Sequence, residues 1–131
     1  MVKQKRIILD TNFLMACGQF NLDIFSEIDR ICHFPYSLFI LDKTINELEN
    51  LIKKEKGKNK QAAKLAFLLI RKKKIPLLKT KEDGVDNLLY DIADKDTIVA
   101  TLDKELKKRL KGKGILTITM RQKRYLILEE K

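Results

Sequence analysis

The chain has 131 residues, with 28 Lys and Arg against 18 Asp and Glu, and carries a formal net charge of +10. That length and 44% apolar residues fill one hydrophobic core, so a single domain over residues 1–131 is expected, with a basic segment over 120–131. The two cysteines, Cys17 and Cys32, argue against a disulfide framework, and with the lone His33 they fall one ligand short of a closed zinc site.

Residues 1–6 are basic, but the apolar run behind them, Ile7-Ile8-Leu9, is too short for a signal-peptide core. No later stretch approaches the roughly 18 apolar residues of a membrane span, so a soluble cytoplasmic protein with no membrane partner is expected. Arg6-Ile7-Ile8-Leu9 predicts the first strand. A helix follows from about Phe13, breaks near Gly18 and resumes over Leu22, Ile24, Phe25, Ile28 and Ile31. Leu38-Phe39-Ile40-Leu41 reads as a second strand, and Ile45, Leu48, Leu51 and Ile52 mark the helix after it. Residues 53–60 read as a lysine-heavy turn, and Ala62, Leu65, Ala66, Leu69 and Ile70 as a further helix ending in cations. Ile75-Pro76-Leu77-Leu78 predicts an edge strand, because proline cannot donate to a central ladder. After a polar loop over 79–84, residues 85–93 predict a helix, Thr97-Ile98-Val99-Ala100 a buried strand, and Leu106 and Leu110 a helix closed by Gly112 and Gly114. Residues 115–119 form a fifth strand, and the tail from Arg121 to Leu128 is either another strand or a contact surface.

Strands alternating with amphipathic helices predict a three-layer α/β/α sandwich around a mainly parallel sheet of about five strands. The phenylalanines fall mostly in apolar periodicity and read as core rather than as base-stacking platforms.

In such a sheet the ligand site lies beyond the carboxyl ends of the strands. Asp10 follows the first strand directly, Glu47 lies one turn into the helix after the second, Asp86 opens the helix before the fourth, and Asp103 follows the fourth by two residues. Four carboxylates brought together repel one another, and Mg²⁺ or Mn²⁺ would relieve that repulsion. The competing reading is that Asp10, Asp86 and Asp103 cap helices, with Thr44-Ile45-Asn46-Glu47 a capping box. Asn12 beside Asp10, and Thr101 two residues before Asp103, add polar groups that capping does not need.

The motifs Ile7-Ile8-Leu9-Asp10-Thr11-Asn12-Phe13-Leu14, Asp42-Lys43-Thr44-Ile45-Asn46-Glu47-Leu48 and, most specifically, Ile98-Val99-Ala100-Thr101-Leu102-Asp103-Lys104-Glu105-Leu106-Lys107-Lys108-Arg109-Leu110 resemble those of the PIN domain nucleases. With Arg124-Tyr125 in the tail, the chain looks closest to the Fcf1/Utp24 branch, which acts in ribosomal RNA processing. The resemblance spans nearly the whole chain. It implies a Mg²⁺- or Mn²⁺-dependent endoribonuclease with Asp10, Glu47, Asp86 and Asp103 as catalytic and metal-holding acids, supported by Asn12 and Thr101. Asp86-Asn87 stands where members of that branch often carry an aspartate pair, so Asp91 or Asp94 is kept as an alternative third acid.

The positive charge suits RNA, whose phosphates release counterions when neutralised by Lys or Arg. Of three basic clusters, residues 53–60 and 71–74 read as ordinary solvated helix ends or loops. The third, with Lys107, Lys108, Arg109, Lys111, Arg121, Lys123 and Arg124, lies nearest Asp103 and is the expected RNA track. The expected partner is RNA, in particular a ribosomal precursor, and by resemblance a second copy of the chain. Alternatives are a non-catalytic RNA-binding scaffold and a VapC-type toxin restrained by an antitoxin. A phosphorylated receiver-like domain is disfavoured, because the third strand leads to Lys79 with no aspartate before Asp83.

Overall fold

The computed structural model describes residues 4–79 and 93–129. The expected helix over 85–93, with Asp86 and Asp91, therefore lies almost wholly outside the described residues.

Three strands carry the site: β1 (Lys5–Leu9), β2 (Tyr36–Leu41) and β4 (Thr97–Ala100). With β3 (Leu77–Leu78), β5 (Leu116–Arg121) and β6 (Tyr125–Glu129) they form one sheet in the order β3-β2-β1-β4-β5-β6. All neighbours run parallel except β6, which returns antiparallel to β5 with Met120 opposite Leu126. The tail is thus a sixth strand.

The strands read as continuous apolar runs because both faces are covered. Ile7, Leu9, Ile40, Ile98, Ala100 and Ile118 face one core cluster, and Ile8, Leu41 and Val99 a smaller one. Over the first face lie α1 (Thr11–Gln19), α2 (Ile24–Ile31), α3 (Asp42–Lys54) and α4 (Gly57–Lys72). The second is covered by α5 (Lys104–Gly112), through Leu106 and Leu110. These are the three expected layers. No helix among the described residues is long and apolar enough to cross a membrane.

Local details depart from the expectations. Residues 53–60 are not a turn: α3 runs to Lys54 and α4 begins at Gly57, whose φ of +65° a glycine adopts at no steric cost. Lysine is a good helix former, so this charge run sits on two helix ends and not in a loop. The edge strand shrinks to Leu77–Leu78, while Ile75 is buried ahead of it. Phe13 is fully buried, but Phe20, at the end of α1, is 40% exposed and is not core. Cys17 and Cys32 are free and buried, and burial pushes their thiols up to about 12 and about 11.

The outer edge of β6 is met by side chains at Leu126. Arg30 donates from Nε and Nη2 to the two carboxylate oxygens of Glu27, 3.0 Å each. Nη2 also donates to the Leu126 carbonyl at 2.8 Å, and the Leu126 N–H donates to Glu27 Oε1 at 2.9 Å. This pair from α2 occupies backbone groups that would otherwise template a foreign strand. The hydrogen bonds from Arg30, and after them the Leu126 N–H, hold the Glu27 carboxyl below its ordinary 4.5 against the opposing effect of burial. A depressed folded-state pKa stabilises above the unfolded value, and that stabilisation fades as pH falls through the folded one. Denaturant titrations of wild type and Glu27→Gln should therefore differ at neutral pH, and the difference should shrink progressively below pH 4.5.

Candidate functional site

The chain runs from β1 to β2 on one side and returns to β4 on the other side of β1. This reversal places the carboxyl ends of β1 and β4 next to each other at the switch in strand order, where open α/β sheets bind ligands. Asp10 leaves β1 and Thr101 leaves β4 at that point, tied by the Asp10 N–H donating to the Ala100 carbonyl at 3.0 Å.

Asp10 is only 6% exposed. Its Oδ1 accepts from the Thr11 N–H at 2.9 Å, and its Oδ2 from the Thr101 hydroxyl at 2.8 Å across the strand pair. These two donors, an amide and a hydroxyl, fix the orientation of the carboxylate. Thr101, fully buried, in turn accepts from the Asp103 N–H at 3.2 Å. One hydroxyl thus joins the acid of β1 to the loop that carries the acid of β4.

The geometry separates capping from the second role. A capping side chain bonds the second or third N–H of its helix. Asp103 does so, accepting from Glu105 at 2.9 Å and Leu106 at 3.1 Å on the same Oδ1, and Asp23 does so at Ser26. Asp10 does not: it reaches only the first N–H and commits its other oxygen to Thr101. Capping accounts for one oxygen of Asp103 and for little of Asp10.

The capping box at Thr44 is overturned. β2 passes into α3 without a loop, the helix starts at Asp42, and Thr44 is already inside it, 1% exposed. Glu47 Oε1 instead lies 3.3 Å from the Thr11 hydroxyl, which is 2.9 Å from the Thr44 hydroxyl. Thr11 has one hydroxyl proton; with Thr44 donating to Thr11 and Thr11 to Glu47, both contacts are satisfied. Glu47, half-buried, is thereby turned toward the residue that follows Asp10.

The structure therefore gathers Asp10, Glu47, Thr101 and Asp103 along one sheet edge. Asn12 is exposed on the first turn of α1, and the buried partner is Thr11, which the sequence offers only as part of the Asp10 motif; Thr44, expected as a helix cap, is its hydroxyl neighbour instead. Asp94 cannot be the third acid: it bonds Asp96 and Thr97 and pairs with Arg6 at 3.6 Å, at the amino end of β4. Asp86 and Asp91 lie outside the described residues. Among the described residues no three His, Cys, Asp or Glu side chains converge closely enough to hold an ion by themselves.

The sequence profile of the PIN like domain matches residues 7–123. The chain belongs to the PIN-like domain family. It is 34% identical over 122 residues to Ribonuclease VapC4 of Methanocaldococcus jannaschii, covering 92% of this chain and 93% of that protein. It is 27% identical over 128 residues to Ribonuclease VapC9 of Archaeoglobus fulgidus, covering 97% and 91%. The structure superposes on the PIN domain endonuclease Utp24 with a TM-score of 0.78 and 24% identity, over 96% of this chain and 92% of that one, a likeness of fold.

In this PIN-like domain Thr101 is the joint of the acidic edge. Thr101→Val keeps the shape and removes the hydroxyl, leaving a carboxylate oxygen and a backbone N–H without their partner. The expected cost is about 1–3 kcal/mol in urea unfolding, against a change within about 0.5 kcal/mol for exposed Asn12→Ala.

Proposed function

We propose that this PIN-like domain is a Mg²⁺- or Mn²⁺-dependent endoribonuclease that hydrolyses RNA phosphodiester bonds at the Asp10 edge. The observation that carries the reading is the buried Asp10 carboxylate at the strand-order switch, oriented by Thr101 and flanked by Glu47 and Asp103. Two relatives that match over nine tenths of their length are named ribonucleases, which supports the same reading.

The donor set fits a hard divalent cation, being all oxygen. Mg²⁺ in nucleotide-cutting sites is commonly held by one or two carboxylates, waters and substrate phosphate, so it does not require three converging side chains. Asp10 and Asp103 would hold the ion, with Glu47 and Asp86 acting directly or through water. When bound, it would supply water activation and neutralise charge on the phosphate.

The remaining work falls to the chain. Thr101 fixes the rotation of the Asp10 carboxylate, and Thr11 orients Glu47. The N-termini of α1 and α5 open on this edge, and their positive ends draw a phosphate toward it.

Such a nuclease suits either of two biological settings. The VapC relatives favour a toxin restrained by an antitoxin. The motif resemblance and Arg124-Tyr125 favour processing of ribosomal precursors. Stable capture of a small protein encoded next to this gene would favour the first, and co-sedimentation with ribosomal precursors the second.

Purified protein should cut an end-labelled, partly structured RNA with Mn²⁺ or Mg²⁺, and EDTA should stop it. Asp10→Asn should abolish cutting while its circular dichroism stays native. Full activity in that variant overturns the site, and salt-sensitive binding without cutting by wild type points to a scaffold.

A further inference from the structure

A groove of about 680 Å³ runs between α5 and the β5–β6 hairpin. Among the described residues, Lys104, Lys107, Lys108, Lys111 and Arg121 line it against one carboxylate, Glu129. Ile115, Ile127 and Leu128 add apolar surface to the lining. The four lysines stand at positions i, i+3, i+4 and i+7 of α5 and form one stripe about 10 Å long. Like charges at these spacings destabilise a helix, so the stripe is electrostatically costly until an anion neutralises it.

The groove has a defined entrance. Because α5 begins directly after Asp103 and β5 runs parallel to β4, Lys104 and Arg121 both stand at the carboxyl edge that holds Asp10. From there the groove leads along α5 to Lys111. Lys104, Lys108, Lys111 and Arg121 are exposed. Lys107 is tethered within the protein, donating to the Thr119 hydroxyl at 3.2 Å and lying 3.6 Å from Glu129 Oε1.

We infer that this groove is the track for the sugar-phosphate backbone of a single RNA strand flanking the bond cut at the Asp10 edge. The inference rests on the nuclease reading for what happens at the edge, and on charge and geometry for the groove itself. It redraws the basic face expected from sequence. Arg109 does not line the groove, and Lys123 turns away to stand 5.1 Å over the Phe20 ring. Arg121 joins the four lysines from a strand rather than from their helix.

Binding is read by fluorescence anisotropy of a labelled single-stranded RNA in EDTA, across a salt series, with the full chain. Lys108→Glu/Lys111→Glu/Arg121→Glu should weaken binding at least about tenfold and flatten the salt slope by about two, since each lost single-strand contact removes roughly 0.7. Lys53→Glu/Lys64→Glu/Lys72→Glu carries the same change in net charge on exposed positions of α3 and α4 and should leave the slope in place. Glu129→Gln, which releases Lys107, should tighten binding and steepen the slope, and it decides the matter if the triple groove variant fails to fold. Equal losses in both triple variants, or an unchanged slope in the groove variant, overturn the track. Wild type that binds through the groove yet does not cut with Mn²⁺ overturns the nuclease reading and leaves the track standing.

Discussion

The hydrogen bond from Thr101 to Asp10 is the constraint on which the site depends. A carboxylate left 6% exposed at the centre of a sheet is costly unless donors meet it. The fold supplies one from its own helix start and one from the neighbouring strand, 91 residues away in sequence. Because β1 and β4 pair directly, that second donor is held by strand register, Leu9 beside Ala100, and not by a flexible loop. The same hydroxyl accepts the Asp103 N–H, so the position of one acid constrains the other.

Much of this was legible in the sequence. Asp10 and Asp103 could be placed at one edge because both follow short apolar runs too β-rich for helix, and parallel strands share their carboxyl ends. The Thr11/Asn12 choice was not legible: the first turn of α1 buries one and exposes the other, and that phase is set by how Phe13 and Leu14 enter the core. The capping box failed because α3 starts without a connecting residue, which moves Thr44 from a cap to the helix interior. Nothing local to Thr44 shows that; it follows from where β2 stops. The tail was ambiguous because its strand character depends on pairing with β5 and on Glu27 and Arg30 of α2 covering its outer edge.

The electrostatic arrangement explains how a chain of net charge +10 presents an acidic centre. The acids gather where strands β1, β2 and β4 end, while the cations of α5 and Arg121 begin at the same edge and lead away from it. Under the proposed function, the long-range positive field would draw a polyanion, and the acids near its path would take a cation of their own before a phosphate could approach. The nuclease reading and the basic groove thus describe two parts of one electrostatic design, the first short-ranged and geometric, the second salt-dependent.

The most direct test of the central claim is anomalous diffraction from crystals soaked in Mn²⁺. The account predicts a manganese peak against the Asp10 carboxylate, on the side toward Asp103, that disappears in Asp10→Asn crystals of unchanged fold. Manganese found only at carboxylates away from this sheet edge would contradict it.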